Sequence, residues 1–249
     1  MASPLVIAHR GGAPGYPENS LAAFRHALAS GVDMLECDVR RSADGALVLL
    51  HDPRVSLGGG PSPVSVTPLT ELRAAVPALL TLPEFLEEFI PSIPVNVDLK
   101  AAGWERELAR VLVHHGAGDR VLVSSTHVPS LRRLAAIEPG LALGLSRGHL
   151  ASSAPGEPGR AAAGLWLRAT LPLLLIPSIP LARARAAMLQ RRSVGPTVVR
   201  LLRRLGYRVF TWTVNRPDEA LRLASCGVDG IASDDPTPVM AALAAAGFR

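Results

Sequence analysis

Short apolar runs alternate with amphipathic stretches from one end of the chain to the other. "LVIAHR" (5–10) reads as a buried strand, a short apolar run stopped by polar and turn residues. "ENSLAAFRHALASG" (18–31) follows with Leu21, Phe24 and Leu28 at helical spacing, Asn19 or Ser20 as N-cap and Gly31 as stop. "VDMLECDV" (32–39) and "ALVLLHD" (46–52) read as the next strands, and the Gly-, Pro- and Ser-rich residues 53–68 as a loop. "LTELRAA" (69–75) and "TLPEFLEEFI" (81–90) read as short helices and "PVNVDLK" (94–100) as a strand.

The alternation continues through helix 104–115, strand "RVLVSS" (120–125), helix 129–138 and strand "LALGLS" (141–146), then a Ser/Pro/Gly loop over 150–160. Segment 161–195 is read as a helix, a strand within 171–177 and a helix around 181–191. Helix 196–205, strand "RVFTWTV" (208–214), helix "PDEALRLASCG" (217–227), strand "VDGIAS" (228–233) and a helix from about 237 finish the pattern. About eight strands with helical crossovers predict an α/β fold, a single-domain TIM (β/α)8 barrel over 1–249, with a short insertion (53–80) over the mouth after the third strand. No G-x-G-x-x-G follows the first strand, which argues against a dinucleotide-binding sheet. "SGVDMLECD" (30–38) and "CGVDGIASD" (226–234) echo each other: helix stop, Gly-Val-Asp corner, strand, aspartate at the strand's far end.

Composition narrows the class. At 249 residues and 48% hydrophobic, the chain suits one barrel and excludes disorder. Cys37 and Cys226 make no disulfide framework and read as reduced, buried thiols. No basic segment followed by an apolar leader opens the sequence, so a cytoplasmic location is expected. The net charge is +5 with 4% aromatic residues, and the arginines are scattered, so no nucleic-acid partner is expected and charge supports only a weak pull toward anionic substrates. The most apolar window, "LPLLLIPSIPL" (171–181), is too short and proline-rich for a transmembrane segment; a barrel strand and its loop explain it more simply than a peripheral membrane contact.

Polar residues gather at the C-terminal ends of the strands, which share one mouth in a parallel barrel. The first strand ends in His9-Arg10-Gly11-Gly12. Glu36 and Asp38, at i and i+2, point to one side of the second, and Asp98 and Lys100 do the same on "PVNVDLK". "ALVLLHD" ends in His51-Asp52. Three carboxylates suit a hard divalent cation, Mg2+ or Ca2+; two histidines suit general acid–base work near neutral pH; Arg10 offers a fork for phosphate oxygens. Of 26 basic residues, Lys100 alone is lysine, and a compact ammonium beside Asp98 can meet both a carboxylate and a small anion. The set favours hydrolysis or transfer at a phosphate ester.

Together, "HRGGAPGYPENSLAAFRHALASGVDMLECDVRRSADGALVLLHDP", "TLPEFLEEFIPSIPVNVDLK" and "VFTWTVNRPDEALRLASCGVDGIASDDP" resemble the glycerophosphodiester phosphodiesterase family over nearly the whole chain. The resemblance implies metal-dependent hydrolysis of a small-molecule glycerophosphodiester to sn-glycerol 3-phosphate and an alcohol. It places the acid–base pair on His9 and His51 and the metal ligands on Glu36, Asp38 and Asp98. Arg10, Lys100 and Trp212 are then substrate contacts. It also implies two steps: attack of the substrate's own 2-hydroxyl on phosphorus, then opening of the cyclic phosphate by water. The family usually carries glutamate where Asp98 stands, and the loop after His51 and the segment "VSSTHVPSL" (123–131) also depart from its pattern. A lysophospholipase D with the same machinery and a catalytically weak phosphodiester- or lipid-binding barrel are the rival readings. Asp52 and Asp234 read as turn or cap residues, Asn19 as a helix cap, and His127 as structural.

Overall fold

The computed structural model describes residues 3–147 and 175–249. Its strands in chain order are Leu5–His9 (β1), Met34–Arg41 (β2), Leu47–Leu49 (β3), Arg54–Leu57 (β4), Gly60–Pro63 (β5), Val95–Leu99 (β6), Val121–Ser125 (β7), Ala142–Arg147 (β8), Ala186–Gln190 (β9), Arg208–Trp212 (β10) and Gly230–Ser233 (β11). β1 pairs in parallel with both β2 and β11, and this double pairing closes a barrel in the order β1, β2, β6, β7, β8, β9, β10, β11. The expected (β/α)8 barrel is therefore present.

The described α-helices are Leu21–Ser30 (α1), Leu69–Ala75 (α2), Leu82–Phe89 (α3), Glu105–His114 (α4), Val128–Ile137 (α5), helical residues 175–181 (α6), Pro196–Arg204 (α7), Pro217–Ser225 (α8) and Pro236–Ala245 (α9). The strands' outward residues join the helices in one large core; inside the barrel Ile7, Met34, Leu122, Ala186, Met188, Phe210 and Ala232 form a separate cluster. α1 and α3 meet through Phe24, Phe85 and Phe89, with ring centroids 4.6–5.7 Å apart. α3 starts on a full capping box, Thr81 accepting from the Glu84 amide and Glu84 accepting from the Thr81 amide.

The echoed corner is built twice with the same bonds. Asp33 accepts from the Val6 amide at 2.8 Å and Asp229 from the Val209 amide at 2.7 Å, while each donates its own amide back to the carbonyl of the same residue. The paired bonds lock the entry of β2 to β1 and of β11 to β10, and so set the register that carries residues to the mouth.

Two strand assignments are corrected. "ALVLLHD" does not supply the third barrel strand: β3 is antiparallel to β2 and lies outside the closed ring, because residues 42–46 make a tight return that reverses the chain. β6 takes the third barrel position. Within 161–195, residues 175–181 are helical, and the barrel strand is "AAMLQ" in β9, where a helix was expected. Alanine and methionine carry no strand signature, yet the pairing of β9 with β8 and β10 outweighs local propensity. The loop expected over 150–160 and the start of the apolar 171–181 window lie outside the described residues. In the insertion, β4 and β5 form a hairpin where a loop was expected, and Val55, Val64, Leu72 and Leu79 pack on Val48 as a satellite core. No described helix is long and apolar enough to cross a membrane.

Candidate active site

The mouth of the barrel holds a cavity of about 300 Å3 lined by His9, Arg10, Glu36, Arg40, His51, Asn96, Asp98, Lys100, Ser124, Trp212 and neighbouring residues. Seven of the eight site residues expected from the sequence line it; the eighth, Asp38, is fully buried beneath. Gly11 and Gly12 explain the "HRGG" turn that lifts Arg10 off β1. Both have positive φ, and a Cβ on Gly11 would lie 2.6 Å from Ala23 Cβ of α1.

Glu36, Asp38 and Asp98 each present an oxygen within 4.8 Å of the others. Register explains the meeting, since Asp38 and Asp98 are direct partners across β2 and β6. Asp98 reaches the group with its short side chain. Lys100 Nζ bridges Asp38 Oδ1 at 2.7 Å and Asp98 Oδ2 at 2.6 Å. Ser124 donates to Asp98 Oδ1 at 2.6 Å. Arg10 Nε lies 3.0 Å from Asp38 Oδ2, its Nη1 donates to Glu18, and its backbone amide donates to Glu36 Oε2 at 2.9 Å.

The charges do not cancel, because three carboxylates face two cations. Burial and the nearby Asp38 push Glu36 up to about 7. Burial also opposes ionisation of Asp38, but Lys100 and Arg10 outweigh it and hold this carboxyl below the usual range. Lys100 is itself held charged by Asp98 and Asp38 against the cost of its burial. A cluster of hard oxygen donors with surplus negative charge fits a divalent cation, and the donor set suits Mg2+ or Ca2+ in type.

Both histidines are oriented by carboxylates. His9 Nδ1 meets Asp234 Oδ1 at 2.6 Å, which leaves Nε2 on the cavity side, 3.9 Å from Glu36. Burial disfavours its imidazolium, but Glu36 and Asp234 outweigh that and raise its pKa. Asn215 secures Asp234, donating Nδ2 to Oδ2 at 2.9 Å and accepting from the Asp234 amide at 2.9 Å. His51 Nδ1 meets Asp52 Oδ1 at 2.8 Å. Although His51 follows a strand outside the ring, Arg40 of β2 donates Nε and Nη2 to its carbonyl at 2.9 and 2.5 Å and ties it to the mouth.

Three residues take other parts than the sequence reading gave them. Asp234 and Asp52 are the histidines' partners. Ser20 is the N-cap of α1, and Asn19 instead bonds Asp38 twice, Nδ2 to Oδ2 at 3.1 Å and Oδ1 from the amide at 3.2 Å. Glu18 holds Arg10. The echo ending in Asp38 and Asp234 was the signal that both belong to one mouth. His127 stands at the start of α5 without a side-chain capping bond, and the cavity takes Thr126 instead. Cys37 is buried, and burial and the nearby carboxylates push its thiol well up; no cavity residue comes from 53–80.

The chain is 29% identical to a glycerophosphodiester phosphodiesterase of Caldanaerobacter subterraneus, over 93% of this chain and 94% of that one. It is 28% identical to one of Bacillus altitudinis, again over 93% and 94%. A solved Oleispira antarctica phosphodiesterase, in complex with the product sn-glycerol-3-phosphate, superposes with a TM-score of 0.79 and 26% identity over 97% of each chain. The profile of the glycerophosphoryl diester phosphodiesterase family matches residues 9–237, and the chain belongs to that family.

Proposed function

We infer that the chain hydrolyses glycerophosphodiesters to sn-glycerol 3-phosphate and an alcohol, with His9 and His51 as the acid–base pair. The observation that carries this reading is the convergence of two carboxylate-held histidines, a three-carboxylate cluster, Arg10 and Lys100 on one cavity. The product bound to the Oleispira antarctica relative supports the glycerol phosphate part.

Glu36, Asp38 and Asp98 would hold the cation, which when bound supplies Lewis-acid polarisation of a phosphoryl oxygen. The rest is the work of the chain's own side chains. His51 takes the proton of the substrate's 2-hydroxyl, and that oxygen bonds to phosphorus as the bond from phosphorus to the alcohol oxygen breaks. His9, biased toward its protonated form by Glu36 and Asp234, gives the leaving oxygen its proton. In the second step His9 removes a proton from water, the water oxygen bonds to phosphorus, and His51 returns its proton to the 2-oxygen as the ring opens. Arg10 and Lys100 bring positive charge to the phosphate, and Trp212 forms a wall of the cavity.

Turnover of glycerophosphocholine in 18O-labelled water, followed by 31P NMR and mass spectrometry, tests the reading. Choline and glycerol 3-phosphate carrying one label are expected. Phosphocholine and glycerol would contradict it.

A further inference from the structure

Each oxygen of Asp38 and Asp98 has a polar or charged neighbour, although Asp38 Oδ1 has an ion-pair contact and no hydrogen bond. Asp38 Oδ1 meets Lys100, and its Oδ2 meets Arg10 and Asn19; Asp98 Oδ1 meets Ser124, and its Oδ2 meets Lys100. The Lys100 ammonium thus sits at 2.6–2.7 Å from two carboxylates that a divalent cation would share. Hard cations approach carboxylate oxygens to about 2.0–2.6 Å, so a cation on these oxygens would stand close to the ammonium and repel it.

The two cationic side chains differ in how firmly they are held. Arg10 is fixed at three points: its guanidinium on Asp38 and Glu18, and its amide on Glu36. Lys100 has a flexible stem, lines the cavity and, among the described residues, contacts no carboxylate beyond the cluster itself. Ser124 offers Asp98 a second anchor on the oxygen Lys100 does not use, so Asp98 keeps a partner when the ammonium departs.

We propose that Lys100 is an exchangeable internal cation: it holds Asp38 and Asp98 together until a divalent cation displaces its ammonium, which then turns into the cavity to meet the phosphate. This rests on the metal reading above and goes beyond it, because it makes metal and phosphate binding depend on each other through one side chain. Linkage makes the effect reciprocal: a phosphate that holds the departed ammonium tightens the metal by the same factor that the metal tightens the phosphate. It also gives a reason for a lone lysine among arginines, since a guanidinium pinned by several bonds would not exchange.

The test is calorimetric titration of Mn2+ into metal-stripped wild type, Lys100→Met and Lys100→Gln, each with and without saturating sn-glycerol 3-phosphate. Thermal melting confirms the fold, and Gln, which keeps a polar group between the carboxylates, covers the case where Met does not fold. Without the anion, the variants are expected to bind Mn2+ about tenfold tighter than wild type. With it, wild type tightens toward the variants, and their own gain is several-fold smaller. Equal or weaker Mn2+ binding in folded variants, with wild type binding normally, overturns the exchange and leaves the metal reading standing. Absence of Mn2+ binding in wild type and variants alike overturns both.

Discussion

His9 and Asp234 stand 225 residues apart in sequence and meet at 2.6 Å where the first and last barrel strands pair. The bond fixes which nitrogen of His9 faces the cavity and, with Glu36, raises its pKa. Asp234→Asn keeps the shape and removes the charge. Its kcat/KM is expected to fall about 100-fold or more, toward the ~10,000-fold loss that follows Asp→Asn at an aspartate orienting a catalytic imidazole. The sign of the pH effect follows: without Asp234 the His9 pKa drops, so the protonated acid is lost at lower pH and the alkaline limb of the pH–rate profile moves down. An unmoved limb would argue that His9 is not the acid.

His51 is tethered through its own carbonyl and through Asp52, not through a barrel strand, and its side chain is about a third exposed. His51→Ala is therefore expected to leave the thermal midpoint nearly unchanged while lowering kcat by about 100-fold or more. Parallel melting and steady-state kinetics separate the two. A large fall in the midpoint with modest loss of turnover would assign His51 to structure.

The raised pKa of Glu36, about 7, predicts how metal affinity follows pH. A cation needs the ionised carboxylate, so protons compete below this value. For one proton at pKa 7, affinity for Mg2+ or Ca2+ should rise about tenfold between pH 6 and pH 8. Titrations at the two pH values measure it, and Glu36→Gln should flatten the dependence and weaken binding.

Packing between α1 and α3 carries the entry to β2 and hence the Glu36–Asp38 pair. Phe85 is fully buried against Phe24 and Phe89. Phe85→Ala is expected to cost about 3–5 kcal/mol of unfolding free energy in chemical denaturation.

Much of this was legible in the sequence because strand-end chemistry is local. His9, Glu36, Asp38, Asp98 and Lys100 could be assigned to one mouth from i, i+2 spacing and the rule that parallel strands share an end. What was hidden depended on contacts between distant segments. Asp234 reads as a turn residue until the ring closes and brings it to His9. Asn19 has a capping residue's chemistry, but Ser20 takes the cap and frees it for Asp38. β9 was misread because "AAMLQ" becomes a strand through its neighbours, and β3 because an apolar run does not reveal which way the chain runs. His51 reaches the same cavity by another route, through Arg40.

Release of glycerol 3-phosphate from glycerophosphocholine is the most direct test: metal-stripped protein, then Mg2+, Ca2+ or Mn2+ restored, with His9→Ala alongside. Turnover that returns with a divalent cation and is absent from His9→Ala is the expected result. Equal turnover with and without metal, or full activity in His9→Ala, would contradict the account.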